Sequence, residues 1–215
     1  MKKDDQSIKS FQSNPRLEAF SDGVFAIVIT LLVIELSLPE LHNHNSSDDL
    51  FHALFEIRNK LFSYALCFIF VGQLWVAHTN FYRLIVKTDM ILFWINNILL
   101  MCVCLFPFVA AIVGDYPNNS GSVIVFGVLY FSTGISFGVM SGYCQYNDYF
   151  HPKVNKKKLK KGGTVTTMLA LASVIPLFVA HYSPVIGLII YFLLTVGYIF
   201  AQTFFKMEEI MDRDD

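Results

Sequence analysis

The chain has 215 residues, of which 54% are hydrophobic and 15% are charged, and it carries a formal net charge of −1. This composition is too apolar for an ordinary soluble domain. The apolar residues fall into blocks of about 18 to 25, and a helix of that length crosses a hydrocarbon core of about 30 Å. The alternation with period two that a membrane β-barrel requires is absent. The sequence therefore predicts an all-α polytopic membrane protein.

The predicted order along the chain is a polar tail, six transmembrane helices and a second polar tail. Residues 1–14 form a cytoplasmic tail, residues 15–207 the six-helix domain and residues 208–215 an acidic cytoplasmic tail. The helices are predicted at about residues 15–38, 51–83, 89–113, 122–147, 163–181 and 184–206. Lysine and arginine concentrate in the tails and in the connections on one side. By the positive-inside rule, both termini are predicted to be cytoplasmic.

The first helix carries polar residues within a long apolar run, RLEAFSDGVFAIVITLLVIELSLP. A charged group at mid-bilayer costs about 2.5–3.5 kcal/mol on insertion scales, so such residues usually face protein or water. Ile27, Leu31 and Ile34 fall at i, i+4 and i+7 and share one stripe of the helix. The stripe continues towards the N-terminus through three further residues: Gly23, Phe20 and Arg16. Two interpretations stay open at this point, an ordinary packed helix and a helix that lines a pathway.

The segment after the first helix is acidic and contains histidines, and we interpret it as a solvated outer loop. Metal-ligand residue types occur there at five positions: His42, His44, Asp48, Asp49 and His52. No pair of them has the spacing of a typical zinc site. Neither a metal nor another cofactor is therefore predicted.

The four cysteines all lie inside apolar runs, at Cys67, Cys102, Cys104 and Cys144. None is in a loop where an oxidising compartment would form a disulfide framework. Cys102 and Cys104 point about 200° apart on a helix, which argues against a shared metal. We expect all four to be core thiols.

Polar residues recur near the inner ends of the first three helices. The set comprises Arg16, Asp22, Trp75, His78, Asn96 and Asn97. Trp75 and His78 are three residues apart and so share a face of the second helix. We predict that Asp22 accepts a hydrogen bond from Arg16, His78 or an asparagine amide, because each bond relieves a desolvated group. Such a network would lock the inner half of the bundle.

Ser21, Asp22 and His78 supply the residue types of a hydrolytic triad, which makes an intramembrane enzyme an alternative. Ser21 and Asp22 are adjacent, however, and point about 100° apart on a helix, which is poor geometry for one relay. The chain also lacks the G-x-S-x-G, H-E-x-x-H and nucleotide-loop motifs. We therefore do not expect an enzyme.

The one long charge run of the chain is HPKVNKKKLKKGG, between the fourth and fifth predicted helices. It contains six lysines and no acidic residue. We interpret it as a cytoplasmic loop that sets the topology and contacts anionic lipid headgroups. Nucleic-acid binding is not expected.

The spacing R-x-x-x-F-S-D-G, followed by A-I-x-x-T-L-L over residues 26–32, resembles the signature of the transmembrane protein 175 family. The residues that carry the first motif are Arg16, Phe20, Ser21, Asp22 and Gly23. The Trp75-x-x-His78 pair and an asparagine early in the third helix are also similar to the family pattern. The family comprises lysosomal potassium channels and their bacterial homologues. A chain with one six-helix unit resembles the bacterial members, which implies a homotetramer in a bacterial cell membrane.

The resemblance implies a potassium-selective cation channel whose pore is lined by the first helix of each subunit. Family members lack a T-V-G-Y-G carbonyl filter, and this sequence lacks it too. Ile27, Leu31 and Ile34 would instead form apolar rings that gate by dewetting and select ions, and Thr30 would add a hydroxyl ring. Potassium sheds water more readily than sodium, so an apolar constriction favours potassium modestly.

Two alternatives remain at this stage. A proton-coupled secondary transporter would use Asp22 and His78 as a relay, and a proton-conducting channel would use the same pore. Glu35, near the outer mouth, either concentrates cations or is an interfacial acid. Both roles of Glu35 stay open.

Overall fold

The computed structural model describes residues 11–12, 15–40 and 46–204, which fold mainly into helices joined by short turns. Two short strands, β1 (Phe11–Gln12) and β2 (Lys87–Thr88), pair antiparallel. The first helix, α1 (Pro15–Leu31), continues as a 3₁₀ turn over Leu32–Glu35. The remaining helices are α2 (Ser47–Glu56), α3 (Arg58–Leu84), α4 (Met90–Cys104), α5 (Phe106–Asp115), α6 (Ser120–Tyr146), α7 (Lys156–Ala172), α8 (Ile175–Tyr182) and α9 (Pro184–Phe204). Most of the predicted tails, together with His42 and His44, lie outside the described residues.

The core is a helical bundle in which α3 packs against α5 and α4 packs against α6. The helix α1 lies on α3 and α4, while α8 and α9 form a hairpin on α6. Aromatic rings connect these layers. The ring of Phe70 lies 5.0 Å from that of Phe106 and 4.2 Å from that of Tyr130, distances at which aromatic pairs attract beyond simple burial. Since α1 packs on α3 and α4, the bundle fixes the position of α1 from one side only.

The predicted helix at 51–83 is divided at Ile57 into α2 and α3. The helix α2 also begins earlier than predicted, because the Ser46 hydroxyl accepts a hydrogen bond from the Asp49 N–H (3.2 Å) and caps its first turn. Asp48, Asp49 and His52 are therefore helical, whereas the sequence interpretation placed them in a solvated loop.

Two further predicted helices are divided where a proline follows. The predicted helix at 89–113 breaks at Leu105, and the one at 163–181 breaks at residues 173–174. Pro107 and Pro176 then lie in the first turns of α5 and α8. Proline has no N–H to donate and its ring crowds the preceding turn, so it is tolerated at a helix start but not within a continuous helix.

The lysine run is largely helical, which differs from the loop that the sequence predicted. The helix α7 begins at Lys156, and the Asn155 side chain accepts a hydrogen bond from the Lys157 N–H (3.1 Å). Lysine has a high intrinsic helix propensity, and Asn155 supplies the acceptor that a helix start requires. The charge of the run therefore did not decide its backbone conformation.

Four stretches of the described residues are long and apolar enough to span a membrane. They are Pro15–Glu35, Arg58–Leu84, Met90–Asp115 and Ser120–Tyr146. Two shorter apolar helical stretches follow, at Ala170–Tyr182 and Pro184–Phe200. The predicted all-α membrane class is confirmed, while six spans with cytoplasmic termini stay a prediction.

Asp89 connects three parts of the chain at the end of the bundle where α1 begins. Its carboxylate caps α4 by accepting from the Leu92 N–H (2.8 Å), and it also accepts from the Tyr143 and Tyr149 hydroxyls. Partial burial raises the pKa of Asp89, but these donated hydrogen bonds outweigh it and hold the pKa below its usual range. The beginning of α4 is thereby fixed to the end of α6.

The cysteines divide between the core and the surface. Cys67 and Cys144 are buried, Cys102 is half-buried and Cys104 is exposed. The prediction of a core thiol is therefore wrong for Cys104. In a membrane protein an apolar helix also presents residues to lipid, so an apolar neighbourhood in the sequence does not by itself predict burial.

Candidate ion pathway and its supporting hydrogen bonds

The helix α1 has two faces of different character. One face is buried in the bundle and carries Leu17, Ser21, Phe25, Val28 and Leu32. A second face carries the stripe predicted from the sequence, where Ile27 is 60%, Leu31 42% and Ile34 69% exposed. Branched apolar side chains thus lie on the surface of the protomer along the second half of the helix.

Within the described residues, the first span is less covered by the rest of the chain than the other three long spans are. In the most apolar part of Pro15–Glu35, 28% of residues are buried, compared with 39% to 50% in the other three long spans. At Gly23 an added Cβ would meet nothing within 4 Å, and Phe20 is 51% exposed. The face is therefore open to lipid or to another copy of the chain.

The 3₁₀ turn changes the register of the stripe at its far end. Side chains three residues apart are nearly eclipsed in a 3₁₀ helix, whereas an α-helix rotates them by about 300°. Ile34 is therefore directed along nearly the same line as Leu31. Sequence periodicity placed both residues on one stripe but assumed a continuous α-helix. Glu35, at the end of the turn, is half-buried.

Thr30 is exposed beside the stripe, but its hydroxyl proton is used within α1. The Oγ1 atom lies 2.8 Å from the Ile27 carbonyl oxygen and 3.1 Å from that of Ala26. A hydroxyl has two lone pairs as well as its proton, so the oxygen keeps its capacity to face a cation. Arg16 is exposed in the first turn of α1.

Behind the stripe, a buried chain of hydrogen bonds joins α1, α3 and α4. His78 Nε2 lies 2.8 Å from Asn96 Oδ1, and Asn96 Nδ2 donates to Ser21 Oγ at 3.0 Å. Ser21 in turn donates to the Leu17 carbonyl oxygen at 2.9 Å. An amide oxygen only accepts, so His78 donates through its Nε2 proton. The three side chains are at most 1% exposed, and the chain fixes the rotation of α1 on the bundle.

Aromatic rings hold the imidazole of His78 in place. The Phe25 ring centroid lies 5.4 Å from that of His78, and the Tyr82 centroid lies 4.6 Å away. Because these neighbours come from α1 and α3, the imidazole cannot turn without displacing part of the core. The hydrogen bond to Asn96 therefore has one defined geometry.

Asp22 makes a separate contact with Trp75, whose indole Nε1 donates to Asp22 Oδ1 at 2.8 Å. This corrects the predicted partners, since Asp22 was expected to accept from Arg16, His78 or an asparagine. Ser21 and Asp22 point in different directions on α1, so Ser21 enters the buried chain and Asp22 stays exposed. On α3, Trp75 contacts Asp22 directly, whereas His78 is connected to Ser21 through Asn96.

The two predicted asparagines also differ. Asn96 is fully buried and central to the hydrogen-bond chain, whereas Asn97 is half-buried and takes no part in it. The adjacent pairs Ser21–Asp22 and Asn96–Asn97 could have suggested that one member of each faces inwards. The rotation of each helix, which decides the member, depends on tertiary packing.

The geometry does not provide a hydrolytic triad. Asn96 lies between His78 and Ser21 in the hydrogen-bond chain, and Ser21 donates its proton to a backbone carbonyl rather than to the imidazole. A serine nucleophile would need a direct hydrogen bond to the base. Within the described residues, no three His, Cys, Asp or Glu side chains are grouped as a metal site would require.

The fold and this site define a polytopic helical membrane protein with one uncovered apolar helix held by a buried polar chain. Residues 16–107 match the family described as endosomal/lysosomal potassium channel TMEM175, which confirms the resemblance seen in the F-S-D-G helix. Over these residues the chain is thus similar to a family of ion channels.

Individual relatives agree with this similarity. A potassium channel of Chamaesiphon minutus is 34% identical over 125 residues, which cover 57% of this chain and 61% of that protein. The human endosomal/lysosomal proton channel TMEM175 is 22% identical over 142 residues, covering 66% of this chain and 28% of that protein. The chain therefore spans less than two thirds of the length of these relatives.

The fold is also similar to a solved structure. The crystal structure of a lysosomal potassium-selective channel TMEM175 homologue from Chamaesiphon minutus superposes with a TM-score of 0.77 at 23% identity. The match covers 87% of this chain and 96% of that one, so it includes the helices beyond residue 107. At this identity the similarity describes the fold.

Proposed function

We propose that the chain is one subunit of a potassium-selective channel in which α1 from several copies lines a central pore. The observation that carries this proposal is the open stripe of Ile27, Leu31 and Ile34 on α1, beside a face that is buried in the bundle. A helix that only filled the core of one protomer would not leave such a continuous row of large branched residues on its surface. The names of the bacterial relatives support potassium as the permeant ion.

In this proposal the stripe forms successive apolar rings. At about 1.5 Å per residue, Ile27 and Leu31 lie about 6 Å apart along the helix axis, so two rings follow one another within the length of a hydrated ion. A narrow ring of isoleucine or leucine excludes water, so the pore is closed by dewetting until the helices move apart. An ion that passes must shed part of its hydration, which costs potassium less than sodium. Thr30, one turn above the first ring, offers its oxygen to the partly dehydrated ion.

The buried hydrogen-bond chain would hold α1 in the rotation that presents these rings. Ser21 faces α4 while Ile27 faces outwards, so a loss of the bond from Asn96 would let α1 turn about its axis. A buried donor left without a partner is costly, which makes intermediate rotations unfavourable. The hydrogen bond from Trp75 to Asp22 adds a direct contact between α3 and α1. These residues are positioning residues rather than ligands of the ion.

The assembly and location follow from the same proposal. One copy contributes one α1, so a pore requires several copies, and we propose a homotetramer in a bacterial cell membrane as in the family resemblance. Both termini and the lysine-rich beginning of α7 would be cytoplasmic, with the lysines at anionic lipid headgroups. Potassium ions and the bilayer would be the other partners.

Proton conduction is the second candidate, and the proton channel named among the relatives favours it. His78 is a titratable group that takes part in a buried hydrogen-bond chain with the side chains of Asn96 and Ser21. That hydrogen-bond chain, however, ends at the Leu17 carbonyl oxygen, one turn before Ser21 on α1. It therefore does not cross the membrane. We therefore assign the chain a supporting role, and a proton current would have to use the pore itself. A proton-coupled transporter would need the same groups to reach both sides.

A bilayer recording tests the proposal. The purified full chain is reconstituted with potassium on one side and sodium at equal concentration on the other, at equal pH. We expect single-channel currents and a reversal potential displaced in the direction of potassium permeation. Currents that vanish when only potassium and sodium are present, but appear under a pH gradient, would support the proton channel instead. An absence of unitary currents with coupled, slow uptake would favour the transporter.

A further inference from the structure

The helix α1 has a third face, which neither packs on the bundle nor belongs to the stripe. Ala19, Asp22 and Ala26 are exposed on this face, which we term the open flank. At about 100° per residue, Asp22 points about 140° and Ala26 about 100° away from Ile27. The open flank therefore lies beside the stripe and does not face the proposed pore.

The hydrogen bonds of α1 show which helices adjoin the open flank. Ser21 accepts from Asn96 on α4, and Asp22 accepts from Trp75 on α3. A turn around α1 that starts at Ile27 therefore meets first α4, then α3 and then the open flank. The stripe is thus flanked by α4 of the same copy on one side and by exposed residues on the other.

The carboxylate on the open flank lies at the depth of the hydrocarbon core. At about 1.5 Å per residue, Asp22 is about 9 Å along α1 from Arg16, and its donor Trp75 is about 12 Å along α3 from Arg83. Arginines at the ends of spans lie at the membrane surface. A carboxylate that faced lipid at this depth would be costly, so such groups face protein or water. Since the open flank points away from the pore, a second protein surface is needed to cover Asp22.

The helix α4 presents a row of large residues to the outside of the protomer. Trp94, Ile98 and Met101 are each more than half exposed and fall at i, i+4 and i+7, so they form one row, the α4 stripe. Asn96 faces α1 of the same copy, and Trp94 points about 160° away from it. The α4 stripe is therefore directed away from its own α1. Because α4 and the open flank lie on opposite sides of the pore-facing stripe, in a ring of copies the α4 stripe faces the open flank of the next copy.

The two surfaces also agree in depth. As the first and third of the long spans, α1 and α4 run in the same direction through the membrane. The hydrogen bond between them joins residues 75 positions apart, so residues with this separation lie at about the same depth. Ala19 is then level with Trp94, and Ala26 is level with Met101. Copies related by rotation about the pore axis keep this level, and the small alanines leave room for the larger side chains.

We propose that the open flank of one copy packs against the α4 stripe of its neighbour, and that the neighbour's Trp94 donates its indole N–H to Asp22. Trp75 of the same copy donates to Oδ1, which leaves Oδ2 to accept a second hydrogen bond. The Trp94 indole is exposed on its own protomer, and an indole N–H usually takes an acceptor once it is buried. This inference rests on the proposed ring of α1 stripes and names the surface through which the copies meet.

Disulfide cross-linking of the reconstituted full chain tests this interface. The four native cysteines are first replaced with alanine, and Ala26→Cys is then combined with Met101→Cys. With copper phenanthroline as the oxidant, we expect a ladder of covalent oligomers beyond the dimer, because each copy then joins two neighbours. Ala26→Cys combined with Phe178→Cys is the matched control, since Phe178 is even more exposed but lies on α8. The control pair should give no ladder.

A second measurement addresses the hydrogen bond between copies. Trp94→Phe keeps an aromatic ring and removes the N–H, and we expect the association constant in detergent to fall at least about tenfold per contact, as for a hydrogen bond to a charged group. Sedimentation at several protein concentrations gives this constant. Tyr146→Phe, which removes an exposed hydroxyl at the end of α6, is the control and should leave association unchanged. Both positions are exposed in the protomer, so neither substitution disturbs its core.

Three results would overturn the inference. An absence of cross-links, or dimers alone, between Ala26→Cys and Met101→Cys would show that the two surfaces do not meet in a ring. An equal ladder with Phe178→Cys would show that the reaction reflects random collision. Unchanged association of Trp94→Phe would exclude the indole hydrogen bond. A specific ladder in a chain that passes no potassium current would support the interface and contradict the proposed function, whereas potassium currents without a ladder would contradict the interface alone.

Discussion

Replacing Asn96 with leucine would test whether the buried hydrogen-bond chain holds α1 in place. The substitution keeps the size of the side chain but removes the acceptor for His78 Nε2 and the donor for Ser21 Oγ. Hydrogen bonds between membrane helices average about 0.6 kcal/mol, so the loss of two bonds sets a lower limit of about 1 kcal/mol. The imidazole N–H is then buried without a partner, which raises the expected cost to about 3 kcal/mol. Within this range the unfolding equilibrium changes by about 5- to 150-fold.

The measurement is the free energy of unfolding in mixed detergent micelles, followed by circular dichroism during titration with a denaturing detergent. Asn97→Leu is the matched control, because Asn97 is adjacent, half-buried and outside the hydrogen-bond chain. It should change the free energy by less than about 0.5 kcal/mol, as for a substitution away from any special feature. The double variant of Asn96→Leu with His78→Phe should cost clearly less than the two single variants together, because it removes the orphaned donor.

Two results would refute this reasoning. Equal effects of Asn96→Leu and Asn97→Leu would show that the hydrogen bonds contribute nothing measurable. Strictly additive effects of Asn96→Leu and His78→Phe would show that the two side chains do not depend on each other.

Three further predictions concern the pore, a close helix contact and the Asp89 cap. Ile27→Asn should hydrate the proposed constriction and bring the bi-ionic reversal potential towards zero, whereas the same change at the buried Val28 should impair folding. An unaltered reversal potential in Ile27→Asn would count against the ring. Gly114→Ala should destabilise the bundle by about 1–3 kcal/mol in the same unfolding assay, because its Cβ would lie 2.9 Å from Ser63 Oγ and 3.1 Å from the Lys60 backbone. Gly72→Ala, where a Cβ meets nothing within 4 Å, is the control. An equal effect of both substitutions would contradict the contact. Because hydrogen bonds hold the pKa of Asp89 below its unfolded value, its contribution to stability is complete above about pH 4 and is lost as the pH falls through the lowered pKa. Asp89→Asn should lack this acid-dependent part of the stability. Identical pH profiles of the two proteins would exclude a contribution from Asp89.

Much of the fold followed from the sequence, because a long apolar block in a membrane has few alternatives to a helix. The beginnings of α1 and α9 and the four long apolar stretches lie close to their predicted positions. The breaks at Leu105 and at residues 173–174 did not follow, since hydropathy does not change at them. The break at Ile57 lies in the polar segment 56–60, which the prediction included in the second helix. The complete interruption before Pro107 depends on how α5 packs against α3.

The sequence pointed to the side chains that hydrogen-bond behind α1, but not to their pairings. Periodicity alone separated Ile27, Leu31 and Ile34 from the buried face of α1, because a helix has a fixed rotation per residue. The donor to Asp22 could not be predicted in the same way, since Trp75 reaches it only through the crossing of α1 and α3. The choice of Asn96 over Asn97 likewise depends on the rotation of α4, which packing against α6 decides.

The central claim is that the open stripe of α1 faces a water-filled pathway shared by several copies, and Leu31→Cys tests it most directly. The substitution is made after replacing Cys67, Cys102, Cys104 and Cys144 with alanine, with Val28→Cys on the buried face as the control. We expect a membrane-impermeant cationic thiol reagent to reduce the current through conducting Leu31→Cys channels and to leave Val28→Cys channels unchanged. Reaction of Leu31→Cys with a lipid-soluble maleimide, but in no state with the cationic reagent, would place the stripe in lipid and contradict the account.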